Sequence, residues 1–462
     1  MSGVTEDVRR RDAGIRSPVA GGSRVLSGVD LALLWGDLGI GLLVLVTGAL
    51  LVPALGGGQA LLAIVLGSAI GAGLLALGAA VGARAGLPAM VLFRPVLGDR
   101  GSYLPSVLNV AQLVGWTAVE LWAMTSVADL VAFRSFGVSA RPLWLLGAAS
   151  VTVALALWGP VGVTRVWMKR FGAWVLVSIC AALTVLLVSS GAAGRAFAAP
   201  AHGGWPTFGA GLDLVIAMPV SWLPLVADYS RFARGTRSAF AGTFLGYGLA
   251  NVWLFGLGAV LVTGAGASPT PSGMAAAILA LSGGSLAGLV FLMGLLVGET
   301  DEAFADVYSG ALSLRNVFPR LDQRWVVLAI VTTAVPLAAW LSMARYESFL
   351  FLLGSVFVPL FGVLGGHLLI PGERTIYYES DPRRPLAWDA LIAWLAGFLV
   401  YHWIAPVGPP WWTDLSRSLL GAPVMENVAW LPASIPSFVV GLLLAAMSRR
   451  AIIRAAMERG DG

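Results

Sequence analysis

The sequence predicts an all-α polytopic membrane protein with twelve transmembrane helices, and three observations predict it. Of the 462 residues 58% are hydrophobic and 11% charged, with a mean hydropathy of +0.84, whereas soluble domains carry roughly 25% charged residues. Between charged clusters the chain stays apolar for about 20 residues at a time, the length a helix needs to cross roughly 30 Å of hydrocarbon. The basic residues also fall on alternate sides of these runs. The short alternating pattern of outer-membrane strands is missing, and backbone in lipid has to be hydrogen-bonded internally, which leaves helices. This composition argues against a soluble enzyme.

Residues 1–24 are polar and rich in arginine (Arg9, Arg10, Arg11, Arg16, Arg24) and lead into a full-length apolar run with no small-residue cleavage signal. They read as a disordered cytoplasmic tail and not as a signal peptide. The expected spans are 30–55, 59–82, 104–132, 142–160, 167–190, 211–231, 239–265, 285–312, 325–343, 347–370, 387–405 and 429–447. With the tail inside, only Arg134, Arg141, Arg195, Arg345 and Arg417 of the 29 Lys and Arg residues lie outside. Both termini are therefore expected in the cytoplasm and the chain in the cell's inner (plasma) membrane. The formal charge of +5 is dispersed through short loops, a pattern that sets orientation and offers no nucleic-acid surface. No connector is long enough for a soluble catalytic domain, so function has to lie within the bundle. Trp325, Trp388, Trp411, Trp412 and Trp430 near span ends read as interfacial anchors. A single cysteine, Cys180, excludes a disulfide framework and a Cys-based metal site.

An ionisable side chain at the bilayer centre costs at least about 2.5 kcal/mol, which makes each one a functional candidate. The first span holds Gly36, Asp37, Gly39 and Gly41 within seven residues, and each glycine weakens a helix by roughly 1 kcal/mol relative to alanine. The sixth holds Pro219 and Pro224, which lack amide donors and leave carbonyls unpaired. Both spans are expected to break. They lie five spans apart and so cross in opposite directions, as in transporters whose inverted halves bring broken helices to a shared substrate and ion site. The alternative is that glycine and proline only kink two helices for packing.

In the third span Trp116 and Glu120 are one turn apart on one face near mid-depth. An indole face beside a carboxylate suits a flat heteroaromatic ligand, the ring stacking while the acid accepts N–H bonds. Alternatively, Trp116 packs and Glu120 pairs with another span. In the eighth span Glu299, Glu302 and Asp306 share a face and Asp301 is turned away. Acids this close cannot all stay ionised, so a proton or a cation has to be held there. The alternative ends the span near Gly298 and puts the acids in water, but the chain stays mostly apolar from Ala303 to Leu314. His202, His367 and His402 are isolated from other metal-ligand residues. Gly67 and Gly71 form a small-residue packing pair. No Ser-His-Asp set, phosphate loop or dinucleotide fingerprint is present, so no enzyme is expected.

The stretch from Gly82 through Arg84, Gly86, Pro88, Phe93, Arg94, Gly98, Arg100, Gly101 and Ser102 to Pro105, followed by Asn109, Gln112, Gly115 and Trp116, resembles the hallmark region of the purine, cytosine and allantoin permeases, or nucleobase:cation symporters. The resemblance implies a five-plus-five inverted repeat with two additional C-terminal helices. The corresponding units are a tail at 1–28, repeats at 29–191 and 192–371, the added pair at 372–448 and a tail at 449–462. By position, Trp116 looks like the family's stacking tryptophan, and Glu120 takes the place of a substrate-binding polar residue. Ser221 and Trp222 match the substrate-contacting break, Asp228 to Phe232 resembles the ending of that span, and Asp306, with Glu302 beside it, is a candidate ligand. Family sodium sites use carbonyls of the first span, here around Gly36, Asp37 and Gly39, and paired hydroxyls of the eighth. That pair is Thr300 and Asp301 in this chain, a carboxylate replacing one hydroxyl, so Asp37, Thr300, Asp301 and Glu299 are candidates for coupling Na+ or H+. No other cofactor is implied.

The run from Leu34 to Gly41 and the acidic eighth span look most similar to the hydroxymethylpyrimidine branch, which carries a thiamine precursor. The expected function is secondary active import of a small pyrimidine by cation symport. Cytosine, a purine, allantoin or thiamine are the alternative substrates, and an ion channel or a non-transporting sensor the alternative classes. The expected partners are a small heteroaromatic substrate and the bilayer.

Overall fold

Glycine and proline decide where the helices of this chain stop. The computed structural model describes residues 17–158, 173–369 and 384–458, so Arg9 to Arg16, Arg165 to Arg170, Arg374, Arg383 and Arg459 lie outside the described residues. Helices α1 (Gly28–Asp37), α2 (Leu42–Leu50), α3 (Gly57–Ala85), α4 (Arg94–Leu97), α5 (Tyr103–Phe136) and α6 (Arg141–Trp158) come first. Next are α7 (Ala173–Ser189), α8 (Ala192–Ala198), α9 (Phe208–Ser221), α10 (Val226–Ser230), α11 (Thr236–Ala265) and α12 (Pro271–Leu281). The chain continues with α13 (Leu286–Val317), α14 (Gln323–Trp340), α15 (Met343–Leu369), α16 (Trp388–Ile404), α17 (Pro410–Leu420) and α18 (Ser434–Glu458). Seven helices are long and apolar enough to cross a membrane, or up to nine if each of two bent pairs is one span. Nine of the twelve expected spans fall on these; those at 142–160, 285–312 and 387–405 fall on α6, α13 and α16, which are not among them, and 159–160, 167–172 and 370 lie outside the described residues. Among the described residues there are no β-strands, only an isolated bridge between Leu26 and Ala233.

The last helix begins at Ser434 and not at 429, because Asp213 of α9 accepts the amides of Ala433 (2.6 Å) and Ser434 (3.0 Å) and so fixes its start. Helices α8, α12 and α17 were not expected; they are short and lie in connectors.

The two interruptions differ in kind. Between α1 and α2 the axis turns by 65°, with Gly41 extended at φ −135° and ψ 162°. A capping box of Ser27 and Asp30 starts α1, and a Cβ at Gly39 would come 2.9 Å from Ala250 Cβ, so glycine there admits the neighbouring helix. In the sixth span the break expected within Met218 to Pro224 is narrower and later than that segment: the helix runs through Pro219 to Ser221, is interrupted over 222–225 and resumes at Val226. That span does not bend beyond 40°. Proline removes one donor but leaves the preceding turn in place, so only the second proline coincides with the gap.

Helices α1 and α2 pack on α11, α9 and α10 pack on α3, α3 packs on α11, and α5 packs on α13. Exchanging each early span for the one five later leaves this pattern unchanged. Close approach depends on small residues. A Cβ at Gly67 would sit 2.6 Å from Val215 Cβ, and one at Gly71 would strike the Pro219 ring.

At the arginine-rich end, buried Arg94 donates to Asn316 Oδ1 (2.7 Å), to the Asn316 carbonyl (2.8 Å) and to Asp99 (2.8 Å). Asn316 in turn donates to Ser106 Oγ at 2.9 Å. Arg94→Met should lower stability by about 1–2 kcal/mol, because the Asn316 acceptors lose their donors inside the bundle. A denaturant midpoint unchanged in detergent would count against that role.

Candidate substrate and cation site

Asn109, Gln112, Trp116 and Glu120 recur at three- or four-residue spacing along one face of α5, and all four are buried. The Trp116 ring meets Phe349 at 5.5 Å and Tyr346 at 6.2 Å between centroids, both T-shaped. Tyr346 is held in turn by the Thr47 hydroxyl of α2 at 2.6 Å. Trp222, at the interruption of the sixth span, stands edge-on to Trp35 at 6.1 Å. Trp116 and Trp222 are each 6% exposed and Glu120 is 1% exposed, so these side chains are buried inside the bundle.

The carbonyls at the interruption of the sixth span are met by side-chain amides of α5. Gln112 Nε2 donates to the Ser221 carbonyl at 2.8 Å, and Asn109 Nδ2 to the Pro224 carbonyl at 3.4 Å. The Ser221 hydroxyl donates to the Met218 carbonyl at 2.6 Å. Ser221 is thereby committed to its own span, and the adjacent Trp222 presents the side chain.

The acids of α13 divide between two places. Glu299 Oε1 accepts the amide of Leu42 at 2.5 Å, capping the first turn of α2, where unpaired donors and the helix dipole favour a carboxylate. Glu120 is buried beside Glu299 and Glu302. Asp306 stands close to Glu120 and Glu302. Asp301, on the other face, lies near Asp37. Asp37 is 3% exposed and neither of its oxygens has a hydrogen-bond partner among the described residues.

Of the expected coupling group, the structure thus brings Asp37 and Asp301 together. The Gly36 carbonyl accepts the Gly39 amide at 3.3 Å. The Thr300 hydroxyl is engaged by the Leu296 carbonyl (2.8 Å) and Met124 sulfur (3.7 Å), and Glu299 serves the break of the first span. Sequence reasoning missed Tyr346 and Thr47, and it gave no role to Asn109 and Gln112. For the amides the signal was present: side-chain donors in a span that has to lie beside proline-freed carbonyls.

The buried polar atoms without partners here include Trp116 Nε1, Gln112 Oε1, Glu120 Oε2, Glu299 Oε2 and Glu302 Oε1. Unpaired polar atoms in a dry interior are costly, and a polar ligand would satisfy them.

Comparison with known proteins agrees with this architecture. Residues 18–418 match the model of a family described as permease for cytosine/purines, uracil, thiamine, allantoin. The chain is 24% identical over 331 residues to the cytosine permease of Escherichia coli O157:H7, covering 71% of this chain and 74% of that one. It is 22% identical over 376 residues to the allantoin permease of Bacillus subtilis, covering 74% and 75%. Among solved structures it is similar to MHP1, a nucleobase-cation-symport-1 family transporter in a closed conformation with bromovinylhydantoin bound, with TM-score 0.76 and 19% identity over 96% of both chains. MhsT in complex with L-phenylalanine shares the fold at TM-score 0.58 and 14% identity, covering 91% of this chain and 98% of that one. The chain is a multi-pass membrane transporter, not an enzyme, and it belongs to the family of permeases for cytosine and purines, uracil, thiamine and allantoin, the nucleobase:cation symporters.

Proposed function

We propose that this transporter imports a small aminopyrimidine of the hydroxymethylpyrimidine type by cation symport across the inner membrane, with both termini in the cytoplasm. The observation that carries the reading is the set of unpartnered, buried oxygens on Glu120, one turn from Trp116, and on Glu302 against the break of the first span. A carboxyl oxygen that carries no proton only accepts hydrogen bonds, which suits a ligand edge that donates, as an exocyclic amino group does. Trp116 and Trp222 supply ring contacts, and Asp306 extends the acidic edge. A second acidic pair, Asp37 and Asp301, lies at the C-terminal end of α1, where the helix dipole favours positive charge. It is the seat proposed for the coupling Na+ or H+.

Uptake of labelled 4-amino-5-hydroxymethyl-2-methylpyrimidine and of cytosine into proteoliposomes tests this. Accumulation should follow an inward gradient of H+ or of Na+, imposed separately, and no accumulation under either removes symport. Glu120→Gln should lower uptake of the preferred aminopyrimidine by roughly 10- to 100-fold, the worth of one hydrogen bond to a charged group. Better transport of cytosine than of the hydroxymethyl compound would move the substrate to the cytosine reading.

A further inference from the structure

The orientation of one amide can be deduced from its neighbours. The Pro224 carbonyl can only accept, so the Asn109 group that meets it, at 3.4 Å, is the Nδ2 donor, which also reaches Ser313 Oγ at 2.8 Å. Asn109 Oδ1 is therefore the acceptor that faces Gln112. The Ser221 carbonyl also only accepts, so the Gln112 group between these two oxygens is Nε2, at 2.8 Å from Ser221 and 3.1 Å from Asn109. A flipped amide would set three acceptors against one another. Gln112 Oε1 is left facing elsewhere. It is buried in a side chain 3% exposed and finds no donor.

Gln112 lies one turn along α5 from Trp116, on the side opposite Glu120. We propose that Gln112 Oε1 accepts a hydrogen bond from the substrate and selects for a donor on a second edge of the ring. This rests on the reading above that a flat heteroaromatic ligand lies against Trp116. The substrate class then narrows to rings with N–H or O–H donors on two separate edges, one meeting the carboxylates and the other Gln112. Gln112 has two functions at once: its nitrogen holds the interruption of the sixth span, and its oxygen reads the ligand.

The test measures binding to the purified full chain with two ligand pairs that differ by one donor: cytosine against 1-methylcytosine, and 4-amino-5-hydroxymethyl-2-methylpyrimidine against 4-amino-2,5-dimethylpyrimidine. In the wild type one pair should differ in affinity by at least about tenfold, since a ligand without the donor leaves a buried acceptor unpaired. In Gln112→Leu that ratio should fall close to one. A purely structural role would weaken both members equally and leave the ratio alone. Gln112→Glu keeps an acceptor oxygen but loses the donor to Ser221; its overall affinity should drop while the ratio survives. Binding by the wild type with an unchanged ratio in Gln112→Leu overturns this assignment and leaves the transport reading standing. Failure of the wild type to bind any of the four overturns the pyrimidine reading and the assignment with it.

Discussion

Trp116→Ala is expected to lower affinity for the transported ring by roughly 10- to 100-fold, because stacking of a base on an aromatic side chain is worth about 1–3 kcal/mol by alanine substitution. Both aromatic neighbours of Trp116, Phe349 and Tyr346, approach it T-shaped, with interplanar angles of 68° and 77°. Neither is a parallel stacking partner, which leaves that arrangement to a ligand. Trp116→Phe should recover part of the loss, since a smaller ring still stacks. The measurement is binding by isothermal titration on protein that elutes as a monodisperse peak, with uptake KM in proteoliposomes as a second readout. Equal affinity in Trp116→Ala would remove the stacking site, and with it the reason to expect a flat substrate.

Much of this arrangement was legible in the sequence because membrane helices leave few options. The apolar run lengths located the long helices, and the glycines from Gly36 to Gly41 marked a real 65° break. The spacing of Trp116 and Glu120 put both on one buried face. Helical periodicity also separated Glu299, Glu302 and Asp306 from Asp301, and in the structure Asp301 lies near Asp37 of the first span. What could not be read depends on which groups meet across helices. Pro219 looked like a break but sits inside a helix whose ring is received by Gly71. Glu299 was legible as a buried acid but not as the acceptor for the Leu42 amide, 257 residues away in sequence. The Thr300 hydroxyl donates to the Leu296 carbonyl of its own helix, a bond set by helical geometry that the residue type alone does not announce. Tyr346 carries no local signature at all; its role comes from Thr47 and Trp116 on two other helices.

Gly41→Ala and Gly258→Ala should fail in different ways, although each glycine admits a close neighbour. At Gly41 the backbone is extended, with φ −135°, a conformation open to any residue, so the restriction is one of space. A Cβ there would strike Glu302 Oε1 and come 2.9 Å from Glu299 Oε1. Both obstacles are ends of flexible side chains and can swing aside. The protein should therefore still fold, but a displaced Glu299 leaves the Leu42 amide without its acceptor, and a displaced Glu302 changes the acidic edge offered to substrate. Uptake should drop at least about tenfold, given about 1–3 kcal/mol for an unpaired buried donor, while monodisperse yield stays near that of the wild type. At Gly258 the added carbon would meet the Leu45 carbonyl and approach the Ala49 amide at 3.1 Å. These are backbone atoms of α2 and cannot rotate away, so α2 and α11 would have to separate along their contact. Folded yield itself should collapse there, as expected when overpacking forces backbone shifts. Wild-type uptake by Gly41→Ala would show that the acids facing this break are not part of the working site, whatever becomes of Gly258→Ala.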